Sequence, residues 1–131
     1  MNREILFRGQ CCTDGKWVEG YLGIEVPDEL VIQQFSFDEY FKSDCIDQYS
    51  VKPETIGQYT GLTDKNNVRI FEGDIIHGFG GNFAVCWSPE ICSFVAGEGR
   101  RILPAMTYGT MKSFEVIGNI YDNPELMEAT K

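Results

Sequence analysis

The chain has 131 residues, 43% of them apolar and 13% aromatic, and carries a net charge of −9. That length suits a single domain burying roughly two thirds of the surface its unfolded form exposes. No run of side chains approaches the ~18–20 apolar residues of a membrane span, so no membrane partner is expected. The surplus of carboxylates repels a phosphate backbone and argues against general nucleic-acid binding, whose affinity comes from Lys and Arg displacing counterions.

Taken in chain order, Ile5 to Cys11 and Trp17 to Ile24 flank the turn residues Thr13-Asp14-Gly15-Lys16 and predict a first hairpin. The N-terminus has no uninterrupted apolar signal core, so the chain reads as cytoplasmic. Residues 19 to 54 hold nine acidic side chains against Lys42 and Lys52, a surface that either keeps the protein in solution or steers a basic partner toward it. Leu30 to Phe35 offers another strand. Residues 36 to 48 are the least β-like of the first half. Ser36 followed by Glu39 has capping-box spacing and predicts a short helix near 36–42, with Phe37, Tyr40 and Phe41 on one stripe. Such a stripe is usually a staple onto the core; the alternative is an interaction surface. That surface would comprise Phe35, Phe37, Tyr40 and Phe41 as anchors, with Asp38, Glu39, Asp44 and Asp47 as steering charges.

Pro53 breaks the chain before a second glycine-rich half, which allows two β subdomains, 1–52 and 53–131, within the one domain. Ile75-Ile76, a Gly78-Phe79-Gly80-Gly81 turn and the alternating Phe83, Val85 and Trp87 predict a second hairpin. Ile91 to Val95 and Phe114 to Tyr121 supply further strands. Asn123, Pro124 and Glu125 have the order of a cap, first position and first-turn acid of a short helix over 124–129. The expected fold class is mainly β with little helix: a short-strand meander, then a C-terminal half whose pattern resembles a small SH3-like barrel. Leu30 to Phe35 and Ser113 to Tyr121 are apolar enough that an uncovered edge there invites pairing with a second copy.

No residue set has the pattern of a catalytic or metal centre, and no enzymatic activity and no cofactor are expected. The five cysteines, at 11, 12, 45, 86 and 92, contain no CxxC pair. Vicinal Cys11 and Cys12 would point to opposite faces of a strand, with reactivity open. Glu72 and Asp74 could pair on one strand face, with His77 the one histidine nearby, but Gly73 between them fits a strand entry at which Asp74 bonds backbone amides. Arg100 and Arg101, with Arg69 and Trp87, are the candidates for a local basic and aromatic face for nucleic acid.

The stretch PETIGQYTGLTDKNNVRIFEGDII at 53–76, together with EVIGNIYDNPEL at 115–126, Phe7-Arg8-Gly9 and Gly20-Tyr21-Leu22, resembles the YopX family of phage and prophage proteins. Pro53, Thr55, Gly57, Tyr59, Gly61, Asp64, Glu72, Gly73, Asp74, Gly118, Asn119, Asn123 and Pro124 carry the resemblance as structural positions. It implies a self-associating accessory protein of unestablished activity, and the acidic and aromatic surface adds the expectation of a host or phage protein partner. It assigns no catalytic residue. Cys11-Cys12 and the acidic stretch from Glu25 to Asp47 lie outside the family pattern.

Overall fold

The computed structural model describes residues 4–25, 29–98, 101–103 and 106–128. The chain folds as two compact units, Met1–Gln58 and Tyr59–Lys131. The divide falls inside a strand rather than at Pro53. Pro53–Thr55 forms a single 3-10 turn, and the start of the next strand still pairs with the first.

The first unit is an antiparallel sheet of β1 (Phe7–Gln10), β2 (Trp17–Glu25), β3 (Glu29–Asp38) and β4 (Ser43–Ser50), in the order β4-β3-β2-β1. On its other side β1 meets the beginning of β5 (Gly57–Thr63) through Phe7↔Gln58 and Arg8↔Gly57. The β1–β2 turn forms as its residues demand. Gly15 takes φ 73° and the Asp14 carboxylate accepts from Lys16 N at 2.9 Å, a bond that holds the Asp14 carboxyl below its ordinary pKa. Leu6, Cys11, Val31, Ile32 and Val51 are buried. Thr55 is buried too, its hydroxyl donating to Lys52 O at 2.6 Å and accepting from Gln10 N at 2.9 Å, which ties the 3-10 turn to β1.

Gly20 lies under the β3 backbone, where an added Cβ would stand 2.2 Å from Gln33 O. A carbonyl in a paired strand cannot yield as a side-chain tip does. Gly20→Ala is therefore expected to cost about 1–3 kcal/mol, the usual toll of overpacking, read as a lower urea midpoint for the first unit.

The second unit is built on an antiparallel sheet of five strands. Its order is β10 (Arg101–Ile102), β9 (Ser93–Glu98), β8 (Gly81–Ser88), β7 (Asp74–Gly78) and β11 (Glu115–Asn119). The rest of β5 pairs with β6 (Arg69–Phe71), with a register break between Tyr59 and Thr63 where Gly61 takes φ 90°. Ile70, Ile76, Phe83, Val85, Ala96, Leu103, Met111 and Phe114 form the core of this unit, and α1 (Tyr108–Met111) contributes Met111 to it. The β7–β8 turn is Phe79-Gly80, both at positive φ as a tight two-residue hairpin requires. A phenylalanine is a strained choice there, and its ring packs edge-on to Phe114 at 4.8 Å.

The mainly β expectation holds, with two corrections. The C-terminal sheet is open rather than a closed SH3-like barrel: β10 and β11 are its two edges, and a two-residue β10 offers little length for closure. The predicted helix near 36–42 is instead the end of β3 and a four-residue turn. Asp38, not Ser36, supplies the local cap, its Oδ1 accepting from Tyr40 N at 2.8 Å and Phe41 N at 3.0 Å, and Lys42 closes the turn at φ 54°. The short helix expected over 124–129 is a single 3-10 turn, Pro124–Met127. Asn123 stands at its cap position but does not cap it. Its side-chain oxygen accepts from Asn119 N at 3.2 Å, leaving no room at Gly118, where a Cβ would stand 2.5 Å from that same oxygen.

Candidate functional site

The predicted surface residues come together on one arm, formed by the far ends of β3 and β4 and the turn between them. The β3–β4 register runs without a break from Val31↔Ser50 to Asp38↔Ser43. Strand alternation therefore puts Phe35 and Phe37 on one face with their partners Ile46 and Asp44. Ser36, Asp38, Cys45 and Asp47 belong to the opposite face. Phe35, Phe37 and Ile46 are each more than half exposed, and with Ser36 and Asp44 they line an open groove. Tyr21 of β2 extends the apolar face, its ring 5.5 Å from Phe35. Beyond it a polar ladder closes the patch: Gln33 Nε2 donates to Gln48 Oε1 at 2.6 Å, and Gln48 Nε2 donates to Glu25 Oε2 at 2.8 Å.

At the tip, Tyr40 and Phe41 are 86% and 72% exposed and stack edge to face at 4.9 Å. They are not a staple, since a ring that exposed contributes little to any core. The four acids fall into two kinds. Asp38 is used by the turn, and Glu39 faces Lys42 at 3.4 Å across a pair too exposed to add much stability. Asp44 and Asp47 have no hydrogen-bond or ion-pair partner among the described residues. The arm thus presents unused aromatic area with one unused charge, Asp44, on the same face and another, Asp47, on the opposite face.

The structural positions are held by backbone accounting. Asp64 is fully buried, its Oδ1 accepting from Asn66 N at 2.8 Å and Val68 N at 2.9 Å, and its Oδ2 from Val116 N at 2.9 Å. Lys112 covers the same loop, donating to Thr63 Oγ1, Asp64 O and Asn67 Oδ1. No local signal marks that role, because Lys112 lies more than forty residues away. Asp74 is buried and accepts from Phe71 N at 2.7 Å, while Gly73 takes φ 95°, donates to Val85 O and accepts from Ile120 N. Asn119 Oδ1 accepts from Tyr121 N and Asp122 N, bending the chain after β11. Tyr59 is buried against Phe71, with the Arg69 guanidinium over its ring at 5.8 Å.

The remaining chemical candidates do not converge. Asp74 and His77 are an odd number of residues apart on β7 and so belong to opposite faces. His77 is exposed, with Nδ1 2.7 Å from Asn82 Oδ1. Among the described residues no three His, Cys, Asp or Glu side chains could hold a metal ion, and no helix is long and apolar enough to cross a membrane. All five cysteines are free, with Cys11 buried and Cys12 exposed. Of the basic and aromatic set, Arg69 sits on Tyr59 and Trp87 packs on Phe94 at 5.1 Å, in separate contacts. Arg100 lies outside the described residues, as does the side chain of Arg101.

Comparison with known proteins agrees with this layout. No curated protein matches the chain. Among solved structures it is similar to the crystal structure of protein EF1440 from Enterococcus faecalis, at 22% identity and a TM-score of 0.63, covering 97% of this chain and 100% of that one. At that identity the likeness speaks for the fold alone. The family model for YopX protein matches residues 6–128, a span that includes the buried Asp64 and Asp74, the Gly61 and Gly73 turns and the Asn119–Asn123 bend. The chain belongs to the YopX family.

Proposed function

We propose that this chain is a phage or prophage accessory protein that acts in the host cytoplasm without chemistry of its own, as a self-associating protein-interaction module. One observation carries the reading. The β3–β4 arm exposes Phe35, Phe37 and Ile46 along one face and Tyr40 and Phe41 at its tip, with unpartnered Asp44 on the aromatic face and unpartnered Asp47 on the other. Aromatic anchors ringed by charge are what a binding surface needs and what a stable monomer avoids.

Self-association belongs to a different strand. β3 lies between β2 and β4, so the apolar run Leu30–Phe35 is not an edge. β11 is an edge of its sheet; Asp64 takes its Val116 N, while Ile117 on the strand and Ile120 just after it are each more than a third exposed. Light scattering at micromolar concentration tests this half, with an oligomer expected; a monomer discards it. For the arm, a variant carrying Asp38→Asn, Glu39→Gln, Asp44→Asn and Asp47→Asn is expected to lose most of the captured partner in a pull-down from host lysate at low salt. If capture by the variant equals that by the wild type, the surface lies elsewhere.

A further inference from the structure

The interaction reading leaves open what sits on the arm, and β4 itself narrows the answer. β4 is the outermost strand of its sheet, paired with β3 on one side, so its other side carries alternating amide and carbonyl groups with no strand against them among the described residues. Natural edges are usually blunted by lysine, proline, a bulge or a covering segment. Ser43–Ser50, SDCIDQYS, has no lysine and no proline, and its register with β3 runs without a bulge. Among the described residues only its C-terminal end is engaged, where Ser50 O accepts from Cys12 N at 2.8 Å. From Ser43 to Tyr49 no bulge interrupts the strand and no residue is buried, a run of about 23 Å at strand rise.

The charge on this edge is selective. In β4 paired antiparallel with β4 of a second copy, the registers centred on Asp44 or on Asp47 set that carboxylate against its own counterpart, and like charges placed opposite are destabilising. The same two carboxylates favour a cationic strand. We propose, building on the interaction-module reading, that β4 receives an extended segment of a basic partner protein by strand addition. The segment would alternate apolar with Lys or Arg residues. Its period follows from the two faces of the arm. Side chains entering beside Ile46, Phe35 and Phe37 meet an apolar groove, and those on the other face lie beside Asp47. Asp44, opposite Phe37 at the distal end of the groove, takes a terminal cation. Backbone bonds supply affinity, and the alternation supplies specificity.

The probe is a ten-residue capped peptide alternating lysine with valine and threonine, titrated into the full chain at 150 mM salt and followed by amide NMR. Shifts are expected in Ser43–Tyr49 and in Phe35 and Phe37, with slowed amide exchange along β4. The same peptide with alternate backbone amides N-methylated is expected to bind at least tenfold more weakly, as is its glutamate counterpart. Asp44→Asn with Asp47→Asn is expected to weaken the lysine peptide about three- to tenfold. Equal binding of the N-methylated peptide would show attraction without strand pairing and overturn the proposal, as would shifts confined to other strands or no binding at all. The two levels fail separately. If the four-acid variant loses a lysate partner while the peptide does not touch β4, the module stands and strand addition falls; if the variant loses nothing, both fall.

Discussion

Asp64→Ala is expected to destabilise the second unit by about 3–5 kcal/mol. The Asp64 carboxylate accepts three backbone N–H bonds at 2.8–2.9 Å from a fully buried position. Hydrogen bonds to a charged group contribute about 1.5–3 kcal/mol each and are not additive, and donors left unsatisfied add a desolvation cost of their own. Two of those donors shape the turn before β6. The third, Val116 N, belongs to β11, so the loss spreads from a local turn to a strand of the main sheet. Asp64→Asn is expected to cost about half as much. Its amide keeps one accepting oxygen for two of the donors and turns an NH2 toward the third. Urea unfolding followed by tryptophan fluorescence and circular dichroism reads both; if Asp64→Ala shifts the midpoint by less than an equivalent of about 1 kcal/mol, the loop is held by Lys112 instead.

Phe114→Ala is expected to have an effect of similar size, about 3–5 kcal/mol, through a different cause. Phe114 is fully buried, lies 6.1 Å from Phe83 in a T-shaped pair, and covers Gly78 so closely that a Cβ there would stand 2.6 Å from its ring. Removing the ring leaves a cavity walled by strand backbone that cannot collapse. It also takes away the edge contact that compensates Phe79 for its positive φ. Phe114→Leu, which keeps most of the volume, is expected to cost less than half as much. An unchanged urea m-value with a lowered midpoint would place the loss in the folded state; a Phe114→Ala protein as stable as wild type would remove Phe114 from the centre of the core.

The contrast between these positions and the arm explains what the sequence made legible. Gly61 and Gly73 adopt positive φ, and Asp64 Oδ1 and Asp74 accept from amides within four residues, so the turns of residues 53–76 could be read from local rules. The strands with one buried face, such as Phe83 and Val85 on β8, announced themselves by alternation. β4 did not. None of its residues is buried, so no alternation of apolar and polar residues was imposed on it, and Asp44 and Asp47 lower its strand propensity. The Ser36–Glu39 spacing then suggested a helix, although the period of two between Phe35 and Phe37 was the signal that β3 continues. Asp38 decided the outcome by bonding its own turn. Lys112 and the back-bonding of Asn123 were illegible for another reason, since both depend on which segments the fold brings together.

Phe35, Phe37, Tyr40 and Phe41 are each more than half exposed and so add little to the chain's own stability. The most direct measurement is a paired one on Phe35→Ser with Phe37→Ser: thermal melting of the purified protein, and capture from host lysate with low- and high-salt washes, read by mass spectrometry against wild type. Because both side chains are more than half exposed, the melting temperature is expected to stay within about 2–3 °C, as surface changes usually do. Capture of a salt-sensitive protein is expected to fall at least tenfold. A large drop in melting temperature would make the arm a structural staple, and undiminished capture would move the interaction surface elsewhere on the molecule.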